Sequence, residues 1–233
     1  TVFIRQLRVQ RFGRNYYCKP LLQTVSRLKI SVITMNDSDL PYSQACENNK
    51  SPILSVLNQA FANCQQVLEF GSGTGQHAVY FASQLAHLSW QSSDQHCNLP
   101  ALAERIRRAA LANLPPPLAL DISGDSVSAQ RFDGIFTANT LHIISWPLVK
   151  RLFSRLDEFA AKEATLCIYG PFNYQGQFTS ASNQAFDASL KSRDPAMGIR
   201  NSEDILQLAA AKGFLLQQDI AMPANNRLLW FKR

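Results

Sequence analysis

Glu69-Phe70-Gly71-Ser72-Gly73-Thr74-Gly75 is the part of this sequence best suited to chemistry. Three glycines at alternate positions allow a tight turn and let a ligand approach backbone N–H groups closely. Glu69 stands just before them, where a carboxylate can accept hydrogen bonds from an ammonium group, directly or through water. A dinucleotide loop of the form Gly-x-Gly-x-x-Gly would need glycine at position 76, which is Gln76, and the Gly-Lys-Ser/Thr of a phosphate-binding P-loop is absent. Asp94, Asp121 and Asn139 fall where strands are expected to end. Asp94 lies 23 residues after Gly71. A carboxylate there can take both hydroxyls of a ribose, or it can cap the next helix. Asp121 has the same ambiguity, because aspartate is also a turn residue. The four positions are more telling together than singly, because open α/β sheets bind ligands at the carboxyl ends of their strands.

The elements that must hold these residues are legible in the hydropathy pattern. Ser51-Pro52 reads as a helix start, with Ile53, Leu54, Leu57, Ala60 and Phe61 on one face. Val67–Phe70 reads as a buried strand running into the glycines, followed by a helix to about Ala86. A second strand starts at Leu88 and ends near Asp94. Leu99, Leu102, Ala103, Ile106 and Ala110 make an amphipathic helix, which Pro115-Pro116-Pro117 must stop. Leu118–Asp121 and Asp133–Asn139 read as the third and fourth strands. Val149, Leu152, Phe153, Leu156 and Phe159 form a helix face, and Ala164–Gly170 is a fifth strand. Residues 171–200 break the alternation, with a short helix expected at Ala185–Leu190. Ser202 reads as the cap of a further helix, and Phe214–Ala221 and Arg227–Phe231 close the chain as strands. This alternation predicts an α/β fold: a mostly parallel seven-stranded sheet with helices on both faces.

The acid-x-Gly-x-Gly-x-Gly pattern resembles motif I of class I S-adenosylmethionine-dependent methyltransferases. The chain is also similar to a more specific group, the domain-of-unknown-function 938 family of methyltransferase-like proteins. The likeness rests on Ala45–Leu54, Leu68–Ala78, Trp90–Asp94, Ala138–Ile143, Tyr169–Asn173, Ser182–Leu190, Arg193–Pro195 and Met222–Asn226. It covers about residues 41–233. Asn48 departs from the arginine expected there, and Ser51 from the expected acid. The resemblance implies a Rossmann-like fold and S-adenosyl-L-methionine as cofactor, held by Glu69, Gly71, Ser72, Gly73, Thr74, Gly75, Asp94, Asp121, Ile122 and Asn139. In that fold Asp121 would read the adenine amino group, Ile122 would lie against the ring, and Asn139 would floor the site. The family has no established acceptor.

Methyl transfer is an in-line displacement that needs positioning and, for some acceptors, removal of a proton. His142, after the fourth strand, is a candidate base. Tyr169, at the end of the fifth strand, is a candidate for orienting an acceptor. Asn173, Asn183, Asp187, Asn225 and Asn226 could line an acceptor pocket. Each of these seven residues also has an ordinary structural reading as cap, aromatic wall, packed side chain or turn former.

Composition narrows the field. The chain has 233 residues, 46% hydrophobic and 17% charged, which suits one folded domain and argues against disorder. No run of 18 apolar residues exists, so no transmembrane helix is expected. The net charge of +6 is deceptive. Arg5, Arg8, Arg11, Arg14, Lys19, Arg27 and Lys29 face no acid before Met35, whereas the rest of the chain has 16 basic and 17 acidic side chains. The body thus lacks the charge expected of a nucleic-acid binder. Residues 1–40 read as a basic leader outside a domain spanning 41–233. It could be sequence upstream of a true start at Met35, a targeting peptide or a basic arm, and the first is favoured. Five scattered cysteines and four histidines show no metal-ligand spacing. The reading is therefore a cytoplasmic S-adenosylmethionine-dependent methyltransferase with a small-molecule acceptor and no metal. A non-catalytic cofactor-binding protein, a nucleic-acid or protein methyltransferase, and a nicotinamide-dependent oxidoreductase remain as alternatives.

Overall fold

The computed structural model describes residues 7–12, 15–20, 40–124 and 130–233. The rest of the basic leader, Met35 included, lies outside the described residues. Leu7–Phe12 (β1) and Asn15–Pro20 (β2) pair antiparallel, Leu7 opposite Pro20, as a two-stranded sheet separate from the main one.

The main sheet contains β3 (Gln66–Phe70), β4 (Ser89–Asp94), β5 (Leu118–Ala119), β6 (Phe132–Ala138) and β7 (Ala160–Gly170). A two-residue pair, β8 (Phe172–Asn173) and β9 (Arg200–Asn201), stands apart. The strands β10 (Leu215–Met222) and β11 (Asn226–Lys232) complete the main sheet. Its order is β10-β11-β7-β6-β3-β4-β5. The five strands from β7 to β5 are parallel, and β11 and β10 add antiparallel at one edge. From β3 the chain winds outward through β4 to β5, then returns to place β6 on the other side of β3. The carboxyl ends of strands beside such a reversal are where open α/β sheets bind ligands.

Helices cover both faces. On one lie α1 (Gln44–Ala60), α2 (Gln76–Gln84) and α3 (Leu99–Ala109). Their Ile53, Leu57, Phe81, Leu102 and Ile106 pack on Val67, Trp90, Phe136 and Cys167. On the other, α4 (Trp146–Ser154) and α6 (Ser202–Ala210) bring Val149, Leu152, Phe153, Ile205 and Ala209 against Ile135, Leu166 and Phe231. Between β8 and β9 runs α5 (Ala181–Arg193).

Several expectations are corrected. α1 begins at Gln44 rather than at Ser51-Pro52, because the Ser43 hydroxyl caps it by accepting from the Cys46 N–H at 3.3 Å. Pro52 sits inside the helix, where it removes one backbone bond. β5 ends at Ala119 rather than Asp121, since Asp121 turns the chain on Ser123. The helix face expected through Phe159 is divided: α4 stops at Ser154, and Leu156–Glu158 form a separate 3₁₀ turn. α5 is longer than the expected Ala185–Leu190, and Asn201, not Ser202, is the N-cap of α6.

Candidate functional site

The loop between β3 and α2 puts all three glycines at positive φ: +69° at Gly71, +54° at Gly73 and +76° at Gly75. They differ in what surrounds them. A Cβ on Gly71 would come within 2.9 Å of the Thr140 hydroxyl, and one on Gly75 within 2.7 Å of Leu102 Cδ1. At Gly73 a Cβ would meet nothing nearer than the Gly71 carbonyl at 3.9 Å. Gly71 and Gly75 therefore let the loop pack on its own protein, and Gly73 alone faces open space. The loop is tied to β4: the Ser72 N–H donates to the Ser93 carbonyl at 3.0 Å and the Ser93 hydroxyl to the Glu69 carbonyl at 2.7 Å. Arg105 holds it from α3 by donating to the Thr74 carbonyl.

Glu69 is 2% exposed, and its Oε2 accepts from the Trp90 indole N–H at 3.0 Å. Burial pushes its carboxyl up to about 7 against the pull of hydrogen bonds from Trp90 and Ser72, and the charge of Asp94 adds to the rise. Asp94 is buried at the end of β4. Its Oδ2 accepts from the Gly73 N–H at 2.6 Å, and its Oδ1 accepts from the Gln95 N–H and the Asn98 amide, both at 2.7 Å. Asp94 thus braces the one glycine that faces open space. Asp121 lies half-buried two residues beyond β5, where its Oδ1 accepts from the Ser123 N–H and hydroxyl. Ile122 packs against the α4 side of the core. Asn139, at φ +57°, follows β6 and donates its N–H to the Tyr169 carbonyl at 2.9 Å.

A set of polar residues not singled out for function in the sequence lies under the same loop. The first turns of α1 are hooked to the start of α2 by Gln76. Its Oε1 accepts from the Ser43 N–H at 2.6 Å and the Thr74 hydroxyl at 3.1 Å, and its Nε2 donates to Glu47 at 2.6 Å. Glu47 also pairs with Lys50. Next to this hook, the His77 Nε2 and Asn49 Oδ1 are 2.6 Å apart, and both residues are buried. Burial holds the His77 imidazole down at about 4, so it is neutral. Tyr169, at the end of β7, is buried, and burial pushes the ionisation of its hydroxyl up. Gln76 and His77 follow the last glycine directly, and that adjacency was the signal available in the sequence. Asn49 carries no such mark, because its role depends on α1 folding back over the sheet.

The remaining candidates are distributed differently. His142 is buried near Gly170, 5.3 Å from the Phe186 ring. Burial, with Arg200 and Arg193 adding to it, holds its imidazole down at about 3. Asn183 donates to the Thr179 hydroxyl at 2.9 Å and the Asn225 carbonyl at 3.0 Å. Asp187 accepts from the Ile199 N–H at 2.8 Å and pairs with Lys191 at 2.6 Å. Asn225, at φ +56°, and Asn226 shape the turn between β10 and β11. Only Asn173 differs: its Oδ1 is buried with no hydrogen-bond partner.

The family model described as "Protein of unknown function (DUF938)" matches residues 40–233. The chain belongs to the DUF938 family. Among solved structures, this DUF938 chain is similar to an O-methyltransferase family protein from Burkholderia thailandensis, with a TM-score of 0.70 and 14% identity over 79% of this chain and 56% of that one. It is likewise similar to an O-methyltransferase family 2 protein from Planctomyces limnophilus in complex with apigenin, at a TM-score of 0.71, 15% identity, and 81% and 57% of the two chains. Human N-acetylserotonin methyltransferase in complex with SAM matches at a TM-score of 0.67, 13% identity, and 82% and 53%. This DUF938 chain therefore has the Rossmann-like methyltransferase fold, and it spans little more than half the length of these structures. Among the described residues, no helix is long and apolar enough to cross a membrane.

Proposed function

We propose that the protein is an S-adenosylmethionine-dependent methyltransferase acting on a small molecule. The observation that carries this reading is the room left beside Gly73, whose N–H is held by the buried Asp94 carboxylate, in a loop that starts from the buried carboxylate of Glu69. A ligand with an ammonium group and a ribose fits that donor set, and nothing at the loop is organised for a diphosphate. In this reading Glu69 accepts from the methionyl ammonium. The remaining acceptor capacity of Asp94 takes ribose hydroxyls, Asp121 and Ile122 meet adenine, and Asn139 floors the site. When bound, the cofactor supplies an electrophilic methyl group on a sulfonium. This chain's residues hold the partners in line. His142, held neutral down to about pH 3, is a weak base. Among the loop residues, Asn173 keeps a buried oxygen without a partner and is the candidate for binding the acceptor.

S-adenosylmethionine and S-adenosylhomocysteine are expected to raise the melting temperature, and NAD is not. At a hundredfold excess over Kd the gain is about 2.7 kcal/mol, or several degrees for a chain of this size. A shift with NAD and none with S-adenosylmethionine sinks the reading. Formation of S-adenosylhomocysteine on addition of a cell extract separates a catalyst from a binding protein that does not turn over. We also propose that residues 41–233 form the folded unit. A chain starting at Met35 should unfold as cooperatively and bind the cofactor as tightly as the whole, and loss of its cooperative transition counts against this.

A further inference from the structure

Two of the segments that carry the family likeness, Ala45–Leu54 and Leu68–Ala78, meet at the entry to α1. Gln76 has every hydrogen-bonding position of its amide filled there. Its Oε1 accepts from the Ser43 N–H at 2.6 Å and the Thr74 hydroxyl at 3.1 Å, and its Nε2 donates to the Ser43 carbonyl at 3.3 Å and to Glu47 at 2.6 Å. Arg105 makes a second link from α3, donating to the Thr74 carbonyl and to the Pro41 carbonyl, both at 2.5 Å. The same two side chains thus hold the glycine loop, through Thr74, and the chain at 41–47. What the entry lacks is apolar burial. The buried residues of α1 are Asn49, Ile53, Leu57 and Ala60, so the helix reaches the core only from Ile53 onward. Ahead of Ile53 it is docked by polar contacts: those of Gln76 and Arg105, the 2.6 Å approach of His77 to Asn49, and Lys50 over the Tyr80 ring. A segment with few buried apolar contacts opens at lower free energy than the core. The α1 entry can therefore leave without unpacking Ile53 and Leu57.

We infer that residues 41–50 are a clamp on the cofactor loop, docked by Gln76 and Arg105 and tightened when the cofactor binds. This rests on the cofactor reading above and deepens it. Thr74 directly follows Gly73, and Gly73 holds a positive φ with its N–H on Asp94. When the α1 entry leaves, Gln76 loses its three bonds to Ser43 and Glu47, and Arg105 loses its bond to Pro41. Both side chains are then free to turn away from Thr74, and the loop loses two of the ties that fix its shape beside Gly73. A ligand that needs this shape favours the docked clamp, and by linkage the docked clamp favours the ligand to the same degree. Gln76 and Arg105 are positioning residues, since they act through Thr74 and not on the ligand.

Hydrogen exchange read by mass spectrometry on the full chain, with and without S-adenosylhomocysteine, tests this. The ligand should slow exchange at the amides of residues 42–50 as well as 71–77, and leave α6 unchanged. Gln76→Ala should weaken S-adenosylhomocysteine about tenfold by calorimetry, within the usual span of coupling between sites. At saturating ligand it should also cancel the slowing at 42–50. Arg105→Ala opens the clamp from α3, away from Gln76, and should do the same to a smaller degree, so the test does not depend on one variant folding. A hook that only holds the fold would lower the melting temperature of the free protein and leave affinity intact. That result, or wild-type exchange at 42–50 that ignores the ligand, overturns the inference and leaves the cofactor reading standing. Wild-type protein that does not bind S-adenosylhomocysteine brings down both.

Discussion

At the glycine loop and at α5 the chain places the same kinds of residue, buried carboxylates and amides, at the carboxyl side of one sheet. What those residues have left over is different. Glu69 is sealed in with the Trp90 indole N–H and, among the described residues, has no ion pair, and nearby Gly73 leaves room for a further group. At α5, Asp187 is consumed by Lys191 and the Ile199 N–H, and Asn183 by Thr179 and the turn between β10 and β11. A buried polar group whose capacity is met from within is holding the fold. One whose capacity is unmet carries a cost that a ligand can relieve. Asn173, with its orphaned oxygen, is the exception on the α5 side, which is why it stays in the proposed acceptor site.

The strongest way to break this contrast is Gly73→Val. Its side chain would enter the open space, so cofactor binding should become undetectable by calorimetry. Unliganded stability should fall by about 1–2 kcal/mol from the positive φ. Normal binding by that variant would remove the site from the loop.

Asp94→Ala comes next. It should weaken binding by about 2–4 kcal/mol and should also destabilise the free protein by about 1–3 kcal/mol. The second effect arises because the Gly73 N–H and the Asn98 amide lose their acceptor. Calorimetry and thermal melts measured together would show it, and a pure stability loss would assign Asp94 to the brace alone.

Asp187→Ala should do the opposite. Denaturant titration should report a loss of about 2 kcal/mol, from an orphaned Ile199 N–H and a broken pair with Lys191, while cofactor affinity holds. A change in affinity instead would move α5 into the cofactor site.

The Glu69 carboxyl gives a smaller, pH-dependent effect. Its pKa in the folded protein, about 7, lies above the ordinary carboxylate value. Its contribution to unliganded stability is therefore fully present below about pH 4.5 and is lost as pH rises through 7. An ammonium ligand needs the ionised form, so cofactor affinity should rise about tenfold between pH 6 and pH 7.5. It should fall again above pH 8 as the ligand's own amino group loses its proton. A flat profile from pH 6 to 7.5 would mean that Glu69 does not meet the ammonium. Smallest of all, Asn226→Ala should shift stability by less than about 0.5 kcal/mol and leave binding alone, since Asn226 only folds back on the Pro223 and Ala224 carbonyls.

The sequence by itself determined the alternation of strands and helices, because burial of one face writes a local period into each segment. It also determined where the glycine loop falls and that Gln76 closes off a dinucleotide reading. It misplaced what depends on distant partners. Ser51-Pro52 carries a good local start signal, yet α1 begins eight residues earlier because Ser43 caps it and Gln76, 33 residues away, anchors that cap. β5 loses Asp121 to a side-chain turn with Ser123. Tertiary structure alone decided which polar residues have capacity to spare. Asn49, Asn183 and Asn225 look alike in the sequence, and a hydrogen bond is a property of two groups brought together. The fold sets Asn49 against His77, next to the glycine loop, and uses Asn183 to tie α5 to the turn at Asn225.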